Sequence, residues 1–168
     1  VADMARRSII LNNLSEKVSI INEDIKKIEK VLGLASCDVV ITNPPYKKIG
    51  TGLLNEDMSK LISRHEIKCT LEDVIQKSFK ILKDRGEFYM VHRPDRLVDI
   101  IYIMRKNKIE PKKIRLVYSN ENSKPKLVLI KGIKNARSEL KIDKPLYIYN
   151  LDGTYTDEIL EIYSKNRG

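Results

Sequence analysis

The nine residues DVVITNPPY, 38 to 46, constrain the fold more than any other part of the sequence. Val39, Val40 and Ile41 leave no polar position in the run, the pattern of a strand covered on both faces, as in a parallel sheet. The strand must stop at Asn43-Pro44-Pro45, because proline has no N–H for a ladder and a residue before proline is driven out of the helical region. Such a strand belongs in an open α/β sheet, where ligands bind beyond the carboxyl ends of the strands.

The rest of the chain supplies the partners. An opening helix, with Val1, Met4, Ala5, Ile9 and Leu11 at helical spacing, leads to KVSIIN (17 to 22), read as a short β-branched strand with Asp24 just past its end. DIKKIEKVLGL reads as a helix. Residues 47 to 69 carry no clear period and include Gly50 and Gly52. Thr70 then N-caps LEDVIQKSFKILKDRG, with Asp73 at the third helical position of a capping box and Gly86 past the end. EFYMVH (87 to 92) is a strand, Pro94 opens a helix to about Lys106, and KKIRLVYS and KPKLVLIKGI (124 to 133) form an antiparallel, hairpin-like pair. PLYIYN, an Asp152-Gly153 turn and a helix from about Thr156 to Lys165 close the chain. Strands alternating with helices, ending on an antiparallel strand, predict one mixed α/β domain over residues 1–168.

Composition removes several alternatives. Two cysteines, Cys37 and Cys69, are too few for a disulfide framework, and no CxxC or Cys/His cluster offers a metal four ligands. No apolar stretch approaches the roughly 18 residues of a membrane helix, and no secretory leader pattern opens the sequence. A cytoplasmic protein with free thiols is expected. The 32 Lys and Arg against 23 Asp and Glu give a net charge of +9, which favours a polyanionic partner such as nucleic acid.

Asn43-Pro44-Pro45-Tyr46 suits one kind of chemistry. Pro45 holds Pro44 extended, so the Pro44 carbonyl is aimed rigidly; the Asn43 amide oxygen is a second acceptor and Tyr46 a flat face. Two acceptors beside an aromatic plate fit a planar group bearing NH2. An aryl amine is a poor nucleophile because its lone pair is delocalised. Acceptors that bind both its hydrogens draw the nitrogen towards tetrahedral geometry and stabilise the positive charge that grows on it.

DVVITNPPY resembles the catalytic motif of the amino-methylating branch of S-adenosylmethionine-dependent methyltransferases. With SRHEIKCTLEDVIQKSFKILKDRGEFYMVHRPDRL, LVLIKG and DGTYTDEILEIY, essentially the whole chain is similar to the bacterial tRNA1(Val) adenine-37 N6-methyltransferases and their Gram-positive relatives. The resemblance implies the Rossmann-like, seven-stranded class I methyltransferase sheet, with its last strand antiparallel. It implies that Asn43, Pro44, Pro45 and Tyr46 grip the N6 amino group and stack a flipped-out adenine. It also implies that Asp24, in NEDI, binds the adenine amino group of S-adenosylmethionine, with Ile25 and Asn43 as further cofactor-binding residues. Two of the family's features have no counterpart here: the glycine-rich loop after the first strand and the acidic residue after the second. The expectation is therefore a C-terminal portion of such a domain, without its first strands, that binds cofactor poorly alone. Its unpaired edge should make it dimerise or limit its solubility.

Further candidates surround this core. Arg64-His65-Glu66 reads either as a contact to RNA phosphate or as a solvated loop, and Arg93 and Arg96 flank a helix start that suits a phosphate or simply caps the helix. Basic runs at Lys47-Lys48, Arg105 to Arg115, and Lys124 with Lys126 offer a surface for tRNA, while Tyr147, Tyr149 and Tyr155 either stack bases or pack on the sheet. The leading reading is N6-methylation of adenine in RNA, with tRNA first. The same tetrapeptide also suits a protein glutamine amide or a guanine amino group, and a non-catalytic RNA-binding module is the reading from another class.

Overall fold

A computed structural model describes residues 1–44, 46 and 69–164. The elements are α1 (Ala2–Leu11), a 3-10 turn (Ile25–Lys27) running into α2 (Ile28–Leu32), β1 (Cys37–Thr42), α3 (Leu71–Ile81), β2 (Leu82–His92), a second 3-10 turn (Pro94–Arg96) running into α4 (Leu97–Lys106), β3 (Ile109–Tyr118), β4 (Pro125–Lys134), the two-residue strands β5 (Lys141–Ile142) and β6 (Leu146–Tyr147), and α5 (Asp157–Ser164). One mixed sheet runs β1-β2-β4-β3-β5, with β6 beside β3 further along. β1 and β2 are parallel, and β4 enters antiparallel between β2 and β3. The mixed α/β sheet with a late antiparallel strand agrees with the sequence reading.

Alternation in β2 explains where the core lies. Phe88, Met90 and His92 are buried while Glu87, Tyr89 and Val91 are only half-covered. The buried set packs with Ile75 of α3 and with Ile100 and Met104 of α4, joined by Ile109, Ile114, Val128 and Ile130. Both helices therefore cover one face of the sheet. α3 begins as expected: Thr70 Oγ1 accepts from the Asp73 N–H at 3.1 Å, and Asp73 Oδ2 accepts from the Thr70 N–H at 2.9 Å.

Two elements depart from the sequence reading. Residues 17–22 form no strand. A β-branched run becomes a strand only when a neighbour supplies its ladder hydrogen bonds, and no described strand pairs with it. The helix predicted to run to Gly86 stops at Ile81, because Leu82 turns extended (φ −65°, ψ 136°), is fully buried and pairs with Cys37 of β1. Lys134 Nζ donates to the Phe79 and Leu82 carbonyls at 2.8 and 2.7 Å, placing a cation at the helix C-terminus. Gly86 acts not as a helix stop but at a close approach of chains. A Cβ there would lie 2.9 Å from the Lys83 carbonyl oxygen and 3.1 Å from that of Asp38 in β1.

β1 also departs from the reading of a strand covered on both faces: it is an edge of the described sheet, and its Val39 and Ile41, on the face away from α3 and α4, are 48% and 79% exposed. No helix among the described residues is long and apolar enough to cross a membrane.

Candidate active site

The carboxyl end of β1 delivers Asn43 to the sheet edge, exposed, with Pro44 buried behind it. Tyr46 folds back over the turn: its hydroxyl donates to Asn43 Oδ1 at 2.6 Å. The Asn43 amide is thereby held in one orientation, with its oxygen as acceptor and a second lone pair of that oxygen still available. The Tyr46 ring rests edge-on against His92, with centroids 5.1 Å apart and an interplanar angle of 61°. Parallel pairing of β1 with β2 brings the two strand ends together, Thr42 opposite Met90 and His92 two residues beyond. His92 is buried, and its Nδ1 accepts the Arg93 N–H at 2.8 Å. Burial is the chief cause that pushes its pKa below the ordinary 6.5, so the ring is neutral at pH 7.

A cavity of about 570 Å³ opens beside Asn43 on the face opposite α3 and α4, with Ile41, Tyr89, Leu129 and Lys131 in its lining. Two of these lining groups, the Tyr89 hydroxyl, at 2.5 Å, and Lys131, donate hydrogen bonds to Glu87. Lys131 lowers the Glu87 carboxyl, with Tyr89 adding to the effect. Sequence reading missed this floor. Its one signal was the alternate apolar and charged positions along β2 and β4.

Asp24 caps the first 3-10 turn, its Oδ1 accepting from the Lys26 N–H at 2.9 Å. Its Oδ2 and the Ile25 N–H have no partner among the described residues, which leaves an acceptor beside a donor. That pair is complementary to a ring edge with an amino group next to a ring nitrogen, as on adenine, so the residues fit the cofactor named by the resemblance. The turn is tied to α3 through Lys26 and Asp73, at 3.4 Å, and α2 is tied there by Glu29 and Lys77. Cys69 lies in this neighbourhood; burial raises its thiol pKa, with Asp73 and Asp24 adding to the shift and Lys26 opposing it. Among the described residues no hydrogen bond or ion pair joins Asp24 to Asn43.

Arg93 donates to Asp95 at 3.2 Å and Arg96 to Asp99 at 2.7 Å, so both guanidiniums are engaged within their own turn. Pro45, Arg64 and His65 lie outside the described residues.

No family model matches the chain. Over 165 residues, 96% of the chain, it is 23% identical to a curated tRNA1(Val) (adenine(37)-N6)-methyltransferase of Porphyromonas gingivalis, and 22% identical to the protein of that name from strain W83. The chain spans 64% of the length of each of these relatives. Among solved structures, a predicted O-methyltransferase from Agrobacterium tumefaciens matches 97% of this chain and 72% of its own, with a TM-score of 0.76 at 21% identity. The sheet and its helices thus have the methyltransferase fold.

Proposed function

We propose that the protein belongs to an S-adenosylmethionine-dependent methyltransferase that acts on the N6 amino group of adenine in RNA, with tRNA the foremost substrate. The reading is cytoplasmic, and it treats residues 1–168 as one portion of a single methyltransferase domain. The observation that carries it is Asn43 at the end of β1, its amide fixed by Tyr46, which is itself seated on neutral, buried His92.

Bound S-adenosylmethionine would supply a methyl group on a positively charged sulfur, already electrophilic enough to be attacked by an amine. Asp24 and the Ile25 N–H would hold its adenine edge. The described residues then have to position and polarise. The Asn43 Oδ1 and the Pro44 carbonyl accept the two amine hydrogens, so the nitrogen lone pair leaves the ring π system, and both oxygens sit where positive charge develops. Tyr46 supports a stacked adenine. An amine held this way would, on taking the methyl from that sulfur, be left with a proton to lose to solvent, so these residues would need no strong base among them. Arg64, His65, Arg93 and Arg96 serve in this reading as contacts to the RNA backbone. The net charge of +9 favours RNA over a protein amide as acceptor.

The test is transfer of labelled methyl from S-adenosylmethionine to unmodified bulk tRNA by the full-length protein, with digestion to nucleosides. Label is expected in N6-methyladenosine. Asn43→Ala should reduce it by about 10²- to 10³-fold, the loss typical of one transition-state acceptor or donor. Label in protein but not RNA would overturn the reading in favour of a glutamine amide.

A further inference from the structure

Parallel β1, β2 and β3 finish on one side of the sheet, so Thr42, His92 and Tyr118 mark a common edge, and antiparallel β4 begins there with Pro125 opposite Tyr118. β6 carries the chain past that edge with Tyr147 paired to Tyr118, their ring centroids 5.4 Å apart. The chain then turns back on itself. Tyr149 and Tyr155 face each other across an isolated bridge, with centroids 5.1 Å apart and planes inclined by 27°.

The turn that presents these rings is held from several sides. The Asn150 N–H donates to the Thr154 carbonyl at 2.8 Å, and Asn150 Nδ2 to Thr154 Oγ1 at 3.0 Å. Asp152 Oδ1 accepts from the Thr154 N–H and Oγ1 at 2.9 and 2.6 Å, while Gly153 takes φ +86°, where a side chain would be strained. Thr156 Oγ1 ties the base of the turn to the Tyr147 carbonyl at 2.7 Å. Although the rings cover each other's inner faces, they remain 38% and 48% exposed. Rigidly held aromatic surface open to water is poised for another flat partner.

The charge on the same sheet edge points the same way. Lys124 and Lys126, at the start of β4, are exposed and have no carboxylate partner among the described residues, whereas Lys83, Lys106, Lys113 and Lys131 each have one. Of the acids nearby in sequence, Asp152 is engaged by Thr154, and exposed Glu121 lies on the connection between β3 and β4.

We propose that Tyr149 and Tyr155, with Lys124 and Lys126, form a stacking platform for unpaired RNA nucleotides flanking the methylated adenine. A base lies on the outer face of the tyrosine pair and the lysines take phosphates. This rests on the RNA reading above and adds to it where the strand is gripped outside the catalytic pocket. Four steps of about 4.8 Å separate β1 from the strand beside β3, placing the platform about 19 Å along the edge from Asn43. That separation suits neighbours of the target in a single-stranded loop, not the target base itself.

The experiment is anisotropy of a dye-labelled single-stranded RNA, titrated with the full-length protein. Tyr149→Leu with Tyr155→Leu should weaken binding about 5- to 150-fold, the loss of one stacked base, while the two Phe replacements bind like the parent. Lys124→Gln with Lys126→Gln, a surface change that leaves the turn intact, should lower the slope of log affinity against log salt by about 1.4. Parent-like binding by the Leu pair, or an unchanged salt slope in the lysine pair, would overturn the platform while methyl transfer to adenine in RNA still stood. If the parent protein binds no RNA and labels only protein, the platform fails together with the reading it rests on.

Discussion

Tyr46 and His92 form an edge-to-face pair, 5.1 Å between centroids, in which the aromatic of the candidate catalytic turn is seated on a ring only 1% exposed. The Arg93 N–H donates to His92 Nδ1, so the ring proton sits on Nε2, which has no hydrogen-bond partner among the described residues. A neutral imidazole tolerates this; an imidazolium would place an uncompensated charge in the core beneath Tyr46.

Stability should therefore decline with acid. Burial first, then the Arg96 and Arg93 charges, keep the folded His92 below its unfolded value of 6.5, against the backbone hydrogen bond at Arg93 and the Asp95 carboxylate. As pH falls below 6.5 the unfolded chain binds a proton that the folded chain does not, so unfolding free energy drops until the folded pKa is reached. His92→Phe keeps a ring against Tyr46 and should remove this part of the slope; His65 is common to both proteins. Urea unfolding at pH 5.5 and 7.5 checks it, and an identical decline in parent and variant would count against it.

A second pH dependence lies where α2 meets α3. The Lys77 ammonium, hydrogen-bonded to Glu29, pulls the carboxyl from 4.5 to about 2, with Lys80 helping. Above 4.5 the carboxyl is ionised in both states and the stabilisation is fully present. It is lost as pH falls from 4.5 through about 2, because only the unfolded state takes up the proton. Glu29→Gln should lower the melting temperature at pH 7 and converge with the parent near pH 2. A constant difference across that range would refute the assignment.

The α3 cap tests how far the helix start supports the Asp24 turn. Thr70→Ala removes the acceptor for the Asp73 N–H and should cost about 1 kcal/mol in urea unfolding. Asp73→Asn keeps a side-chain oxygen for the Thr70 N–H but removes the charge that faces Lys26 on the Asp24 turn, and should cost about 0.2–1 kcal/mol. An Asp73→Asn protein as stable as its parent would mean that the tether contributes nothing.

What was legible in the sequence followed local rules. The end of β1 was set by two prolines, α3 was announced by Thr70 and Asp73, and the β3–β4 pair by two apolar runs joined by a short connection. What was not legible depended on partners distant along the chain. KVSIIN has strand composition but no ladder to join among the described residues, and Gly86 read as a helix stop although its role is a close approach to Asp38. Within the site, the residue types of Asn43 to Tyr46 were readable. That Tyr46 would lie on His92, and that Tyr149 would stack on Tyr155, came only from strand order and register.

Gly132 provides a test of the register itself. It sits in β4 between Phe88 of β2 and Pro111 of β3, and a Cβ there would fall 2.5 Å from Met104 Cε and 2.6 Å from Ile109 Cγ2. The Met104 methyl, at the end of a flexible chain, can swing aside. Ile109 is β-branched, fully buried and stiff at χ1, so its methyl cannot. Gly132→Ala should therefore lower stability by about 1–3 kcal/mol, the cost of overpacking a close-packed core. Combined with Ile109→Ala, which opens the space the new methyl needs, the loss should fall short of the sum of the single losses. Urea midpoints of the four proteins measure this. Strict additivity, or a Gly132→Ala protein as stable as its parent, would mean that the sheet does not bring β4 against α4 in this register.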